Sequence, residues 1–272
     1  MTNLAPFLFL MLATGACAAP AAAPIRTAAV PGGLARVALP ASAQAPQVRY
    51  RGERVLVRAA GQGWVALVGL PLSAAPGPAT LEVDGRSVPF TIQPKHYPEQ
   101  HLTLKNLRQV NPNPEDEVRI AREQALMAPQ WQAWPEGLTP TLRFQQPTPG
   151  RLTASFGMRR FFNGEARNPH PGLDIAAPKG RAVGAPAAGV VLLTGDFFFS
   201  GNTVLIGHGE GVVSLLCHLT DTAVRPGQVL QPGQLIGHVG STGRATGPHL
   251  HWTLSFNNAR VDPGLALKAT RP

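Results

Sequence analysis

Cysteine is nearly absent from this chain: only Cys17 and Cys217 occur in 272 residues. Removal of an N-terminal leader containing Cys17 leaves Cys217 alone, so no intramolecular disulfide can hold the fold. A chain of this length buries a core without such staples. Acidic side chains are scarce beside basic ones, 15 against 24, which leaves a formal net charge of +9. That excess suits an anionic partner such as nucleic acid, a membrane surface or a bacterial cell-wall polymer. No Lys/Arg block and no repeated aromatic-basic motif accompanies it, so nucleic acid is not the expected partner. The apolar stretch from Leu4 through Ala13 is too short to serve as a permanent membrane anchor.

What the chain has in quantity is punctuation. Its 29 Gly and 28 Pro exclude a largely helical protein and cut the sequence into short apolar runs, which favours β architecture. Residues 1–19 read as a signal peptide, ending in the small residues Ala16 to Ala19. Ordinary cleavage and lipid attachment at Cys17 are both open, and in either case the chain is expected to be exported. An Ala/Pro-rich tether follows.

Residues 25–100 are expected to form a small all-β domain, an immunoglobulin-like sandwich, with Asp84-Gly85 as a hairpin turn. Within 101–142 the spacing predicts one helix over 113–127. Asn113 caps it, Pro114 occupies its first turn, and Glu115, Asp116 and Glu117 favour the positive end of its dipole. Val118, Ala121, Ala125 and Leu126 are expected to dock one face, and the Pro-rich segment beyond to act as an ordered linker. Short strands then resume through 143–264, ahead of a tail at 265–272.

All the candidate chemistry lies in that last stretch. His170-Pro171-Gly172-Leu173-Asp174 supplies a nitrogen and an oxygen donor four positions apart. His249-Leu250-His251 supplies two imidazoles at spacing two, which a β-strand projects from one face. Hydrolytic zinc sites take three protein ligands and leave a position for water, so three of these four residues could bind metal while the fourth works on substrate. Cys217 is expected to be a buried apolar residue facing away from His218. His208 reads as a turn residue and His238 as a solvent-facing strand residue. Ser241 and Thr242 lack the elbow or acidic partner of a nucleophile.

Three segments, FGMRRFFNGEARNPHPGLDIAAPKGRAV, SLLCHL and IGHVGSTGRATGPHLHW, together resemble the lysostaphin-type, or LytM-domain, zinc endopeptidases of bacterial peptidoglycan. The resemblance covers about residues 143 to 264 and implies an antiparallel β peptidase domain there. The stretches LPLSAAPG and KHYPEQHLTLKN resemble the accessory β domain of some exported members. Carried over, the resemblance implies that His170, Asp174 and His251 hold one Zn2+, with His218 and His249 beside the water that it activates. Either histidine could be the base. Many family members have Tyr where this chain has Leu216, which removes a possible hydroxyl near the substrate. The expected protein is thus an exported, mainly β zinc endopeptidase acting on peptidoglycan, a monomer that touches the membrane only through a lipid at Cys17. A non-catalytic LytM-like activator of a cell-wall amidase is the alternative, and a general exported protease a third reading.

Overall fold

The computed structural model describes residues 23–103 and 111–267. The leader, Cys17 and most of the Ala/Pro tether lie outside the described residues. Among those described, no helix is long and apolar enough to cross a membrane.

Two antiparallel sheets make the N-terminal unit. Leu34–Ala38, Gly63–Gly69 and Leu56–Ala60 form a three-stranded sheet, and Glu53–Arg54, Val48–Tyr50, Gly77–Val83 and Arg86–Ile92 a four-stranded one. Period-two alternation explains their faces: Val48 and Tyr50 are buried around an exposed Arg49, and Leu81 and Val83 around an exposed Glu82. The inward residues, among them Val37, Tyr50, Val68, Leu81 and Ile92, form one core. Asp84 and Gly85 have φ of 47° and 76°, the positive pair that a two-residue hairpin turn needs, and Val83 pairs with Arg86 across them.

The C-terminal unit is built on a ten-stranded sheet. Its main path runs Arg151–Ala154, Leu173–Ala176, His249–Phe256, Val212–Thr222, Gly201–Gly209, Gly189–Phe197 and Val229–Leu230, each antiparallel to the next. Alternation along His249–Phe256 sends Leu250, Trp252, Leu254 and Phe256 into the larger core. His249, His251 and Thr253 therefore project from the opposite face.

The helix spans Pro114–Met127, and the Asn113 side chain accepts the Asp116 N–H at 2.8 Å as its cap. Its docking differs from the sequence expectation. Val118 is 73% exposed and Leu126 52% exposed, and Ala121 and Ala125 are exposed as well, while Asp116 and Glu123 are buried. The turn between Gly189–Phe197 and Gly201–Gly209 presents a backbone N–H here. Glu123 accepts the backbone N–H of Phe198 at 2.8 Å and the Arg119 guanidinium at 2.6 Å, so hydrogen bonding sets the docked face. A second departure is the strand Glu99–Leu102, which pairs in parallel with Arg159–Phe162. That strand in turn forms a hairpin with Glu165–Arg167, closing a small three-stranded sheet.

Asn257 ties the two units together. Its Oδ1 accepts the Gly69 N–H at 2.6 Å and its Nδ2 donates to the Gly69 carbonyl at 3.0 Å, both bonds being buried. A side chain at Gly69 would collide with the Phe256 carbonyl at 2.5 Å, so only glycine lets the strands come this close. Asn257→Ala strands a buried donor and a buried acceptor and is expected to destabilise the protein by about 1–3 kcal/mol. Urea unfolding of the two proteins measures this, and an unchanged midpoint would mean that the clamp contributes nothing.

Candidate metal centre

Strand register builds the centre. Leu173–Ala176 pairs with His249–Phe256 so that Asp174 stands opposite His251 and Ala176 opposite His249. Directly opposed residues share a face, which sets the carboxylate beside the imidazole. His170 enters from the turn before the strand. Three donor atoms meet: His170 Nε2 lies 3.0 Å from Asp174 Oδ1, His251 Nδ1 lies 2.8 Å from the same oxygen, and the two nitrogens are 2.9 Å apart. All three residues are buried.

The far side of each ring sets which nitrogen turns inward. His170 Nδ1 lies 3.0 Å from the Ser155 carbonyl, which can only accept, so that nitrogen carries hydrogen and Nε2 faces the cluster. His251 Nε2 is 2.9 Å from Thr253 Oγ1, leaving Nδ1 to face the cluster. Two imidazole nitrogens and a carboxylate oxygen therefore converge, and positive charge between them, carried by ring protons or by a metal ion, holds them at these distances. Burial pushes the Asp174 carboxyl up, but hydrogen bonds from His170 and His251 outweigh it and keep the group well below the usual carboxylate range. Donor atoms around a tetrahedral zinc with bonds of about 2.1 Å stand a few tenths of an ångström further apart than these, so the set fits zinc with a small outward adjustment.

Two more imidazoles flank the cluster. His249 Nδ1 lies 2.8 Å from the Gly247 carbonyl and its Nε2 3.9 Å from Asp174 Oδ1. His218 Nδ1 lies 2.9 Å from the Thr242 carbonyl, and its ring centre is 4.8 Å from that of His249. Both rings thus carry hydrogen on Nδ1 and a lone pair on Nε2. Burial, with the nearby His251 and His249, pushes the His218 imidazole down to about 3, so it is neutral at pH 7.

His218 reaches this face by a backbone irregularity. Asn202 pairs with Leu219 and Val204 with Leu216, so Cys217 and His218 together span the single residue Thr203, as in a β-bulge. His218 has φ of 62°, the left-handed region that a non-glycine residue seldom occupies. The bulge corrects the expected orientation of Cys217, which pairs directly with His251 and lines the same groove as His218. It is 2% exposed, and burial, followed by the Asp174 charge, pushes its thiol well up, so it is a packed residue with no thiolate character. Leu216, by contrast, is fully buried in the larger core with Trp252, away from the site.

Other histidines fall elsewhere. His208, expected in a turn, is 1% exposed within Gly201–Gly209, with its ring nitrogens on the Ala188 carbonyl and Ser214 Oγ. His238 is half-exposed and bonds Asp221 at 2.9 Å, while His96 is exposed and His101 stacks on Phe161. Thr242 is structural: its hydroxyl donates to the Leu219 carbonyl and accepts the Asn202 N–H. The sequence reading passed over Arg160 and Arg244. Arg160 Nη2 stands 3.5 Å from Asp174 Oδ2, and both arginines line the pocket above the donor cluster.

Gly172 is required by proximity. A Cβ there would stand 2.5 Å from the Trp252 carbonyl and 2.6 Å from His251 Nε2. Gly172→Ala is expected to displace His251 and weaken metal binding by about 10- to 100-fold. Titration with a competing chelator measures it, and unaltered affinity would show that the ring has room to move.

Two family models match the chain in order: Peptidase family M23 N-terminal domain over residues 27–95 and Peptidase family M23 over residues 168–263. A crystal structure assigned to peptidase M23 from Pseudomonas aeruginosa is 40% identical, with a TM-score of 0.75, covering 89% of this chain and 96% of that one. Among curated proteins, the DD-carboxypeptidase/endopeptidase Mpg of Neisseria meningitidis serogroup B is 42% identical over 113 residues, which is 42% of this chain and 26% of that protein. The peptidoglycan DD-endopeptidase ShyA of Vibrio cholerae is 39% identical over 123 residues, 45% of this chain and 28% of that protein. The chain thus matches little more than a quarter of the length of these curated relatives. With both family segments in order, the donor cluster inside the second, and nearly all of a solved M23 chain matched at this identity, the chain belongs to peptidase family M23.

Proposed function

We propose that the chain is an exported zinc endopeptidase that hydrolyses peptide bonds in peptidoglycan stem peptides or cross-links. The observation that carries this reading is the convergence of three donors from His170, Asp174 and His251, with two further imidazoles presenting Nε2 toward them. The activities by which the two curated relatives are named suggest the substrate class and the DD bond type. In this reading residues 25–100 are accessory, 101–142 connect, and 143–264 form the catalytic unit of a monomer.

His170, Asp174 and His251 would hold the zinc, and Arg160 steadies the outer oxygen of Asp174. Bound there, zinc supplies an activated water and polarises the substrate carbonyl. The protein's own part is to move protons. His249, nearer the donor cluster, accepts a proton at Nε2, and its Nδ1–H stays anchored on the Gly247 carbonyl. His218, neutral at pH 7 with Nδ1–H held by the Thr242 carbonyl, would accept a hydrogen bond at Nε2 and so orient the attacking water. The amidase-activator reading requires none of these groups, and the full set favours catalysis.

Purified protein is expected to carry about one zinc per chain by elemental analysis, and its removal by a chelator to lower the melting temperature, because a ligand bound only to the folded state stabilises it. Absence of zinc after reconstitution would end the metalloenzyme reading. On purified sacculi, mass spectrometry should detect fragments released by peptide-bond cleavage. His249→Ala should lower that release by about a hundredfold or more while retaining zinc. Normal release by the variant would remove His249 from the mechanism.

A further inference from the structure

The positive charge beside the metal centre exceeds what hydrolysis uses. Arg160 and Arg167 are directly opposed across the hairpin of Arg159–Phe162 and Glu165–Arg167, an arrangement of like charges that destabilises a strand pair. Their Nε atoms are buried without a hydrogen-bond partner, although Arg167 Nη2 is paired with Glu165 and with Asn111 Oδ1 at 2.9 Å, so Arg160 and Arg244 are the cations nearest the donor cluster. Arg244 adds a third guanidinium, stacked over Phe199 at 4.3 Å and Phe162 at 5.3 Å. Burial, then the charges of Arg160 and Arg167, push Arg244 down to about 10, which leaves it cationic at neutral pH. Among the described residues, Asp174 is the one carboxylate lining this space, and its oxygens are engaged by His170, His251 and Arg160.

Such a concentration of guanidinium groups fits an anion, and planar guanidinium matches carboxylate best. The following argument rests on the peptidoglycan reading above. In a DD bond, the residue whose nitrogen is released is joined through the amino group of a D-centre. That same centre carries a carboxylate, which remains free in a terminal DD-dipeptide and in a DD cross-link alike. Both substrates therefore place one negative charge two bonds from the scissile nitrogen. We infer that Arg244, assisted by Arg160, forms the subsite that reads this α-carboxylate on the leaving-group side. Cation–π contact with Phe162 and Phe199 helps position the Arg244 guanidinium before substrate arrives. One arginine subsite would then serve both the trimming of chain ends and the opening of cross-links.

The test uses the zinc-loaded full chain and synthetic cross-linked stem-peptide dimers, identical except that this carboxylate is free or converted to a carboxamide. Wild-type kcat/KM is expected to favour the free acid by about tenfold or more, the scale of a charge-assisted hydrogen-bonded pair. Arg244→Gln should bring the acid-to-amide ratio close to one at unchanged zinc content, and Arg244→Lys should restore part of it. In parallel, calorimetric binding of both dimers to the His249→Ala protein reads the subsite without turnover. There too the acid should bind about tenfold tighter, and adding Arg244→Gln should erase the difference. Equal binding of acid and amide, or a preference untouched by Arg244→Gln, overturns the subsite. Failure of wild-type protein to cleave sacculi would instead count against the peptidase reading, and the binding comparison still decides whether the arginines read a carboxylate.

Discussion

Pairing of Leu173–Ala176 with His249–Phe256 is the constraint on which the rest of the centre depends. It sets Asp174 against His251 and brings a carboxylate oxygen within 2.8 Å of an imidazole nitrogen. Because side chains alternate along a strand, a slip of one residue would turn the histidines into the core and Leu250 and Trp252 out of it. Burial of those two apolar residues therefore holds the register, and the register holds the donors. Folding free energy from one face of the strand is used to keep three donor atoms together on the other. The close approach of Gly172 to the Trp252 carbonyl belongs to the same arrangement, since it lets the preceding turn deliver His170.

Much of this was legible in the sequence because it follows from local rules. Spacing of two in an apolar strand puts His249 and His251 on one face, and both lie in the strand His249–Phe256. The Asp84-Gly85 turn and the Asn113 cap follow from φ preference and from an oxygen placed to meet free N–H groups. What was not legible depends on long-range pairing. Plain alternation puts Cys217 and His218 on opposite faces, and nothing in the SLLCHL segment announces the bulge opposite Thr203 that brings His218 back. His208 lies between glycines and so reads as a turn, yet strand pairing buries it. The helix was given an apolar docking face from its periodicity, whereas the turn after Gly189–Phe197 offered an N–H that Glu123 accepts. Arg160 and Arg244 drew no notice because an isolated arginine carries no spacing signal, and their partnership exists only after the hairpin and the Gly240 loop have folded.

The segment joining the two units is part of the working surface. Trp131 packs against Leu205, Val213, Leu215 and Cys217, and the Arg260 guanidinium lies 3.7 Å over its ring. Gln124, Met127 and Pro112 line the groove that leads to His218 and His251. Residues read in sequence as a connector thus supply one bank of the channel beside the metal centre, while Asn257 and the Arg58–Glu210 pair at 2.6 Å fix where the sandwich sits. A change in how that sandwich is seated would be felt along the groove wall.

Three of the four imidazoles at the centre are anchored by peptide carbonyls, those of Ser155, Thr242 and Gly247. A carbonyl is the same group whatever side chain its residue carries, so the placement of ring protons is written in the path of the main chain. Mutational drift at Ser155 and Gly247 can proceed without disturbing protonation, provided the loops keep their course, whereas the Thr242 hydroxyl also holds its own loop in place. Tolerance of this kind separates the chemistry, which stays fixed, from the loop surface, which is left open to vary.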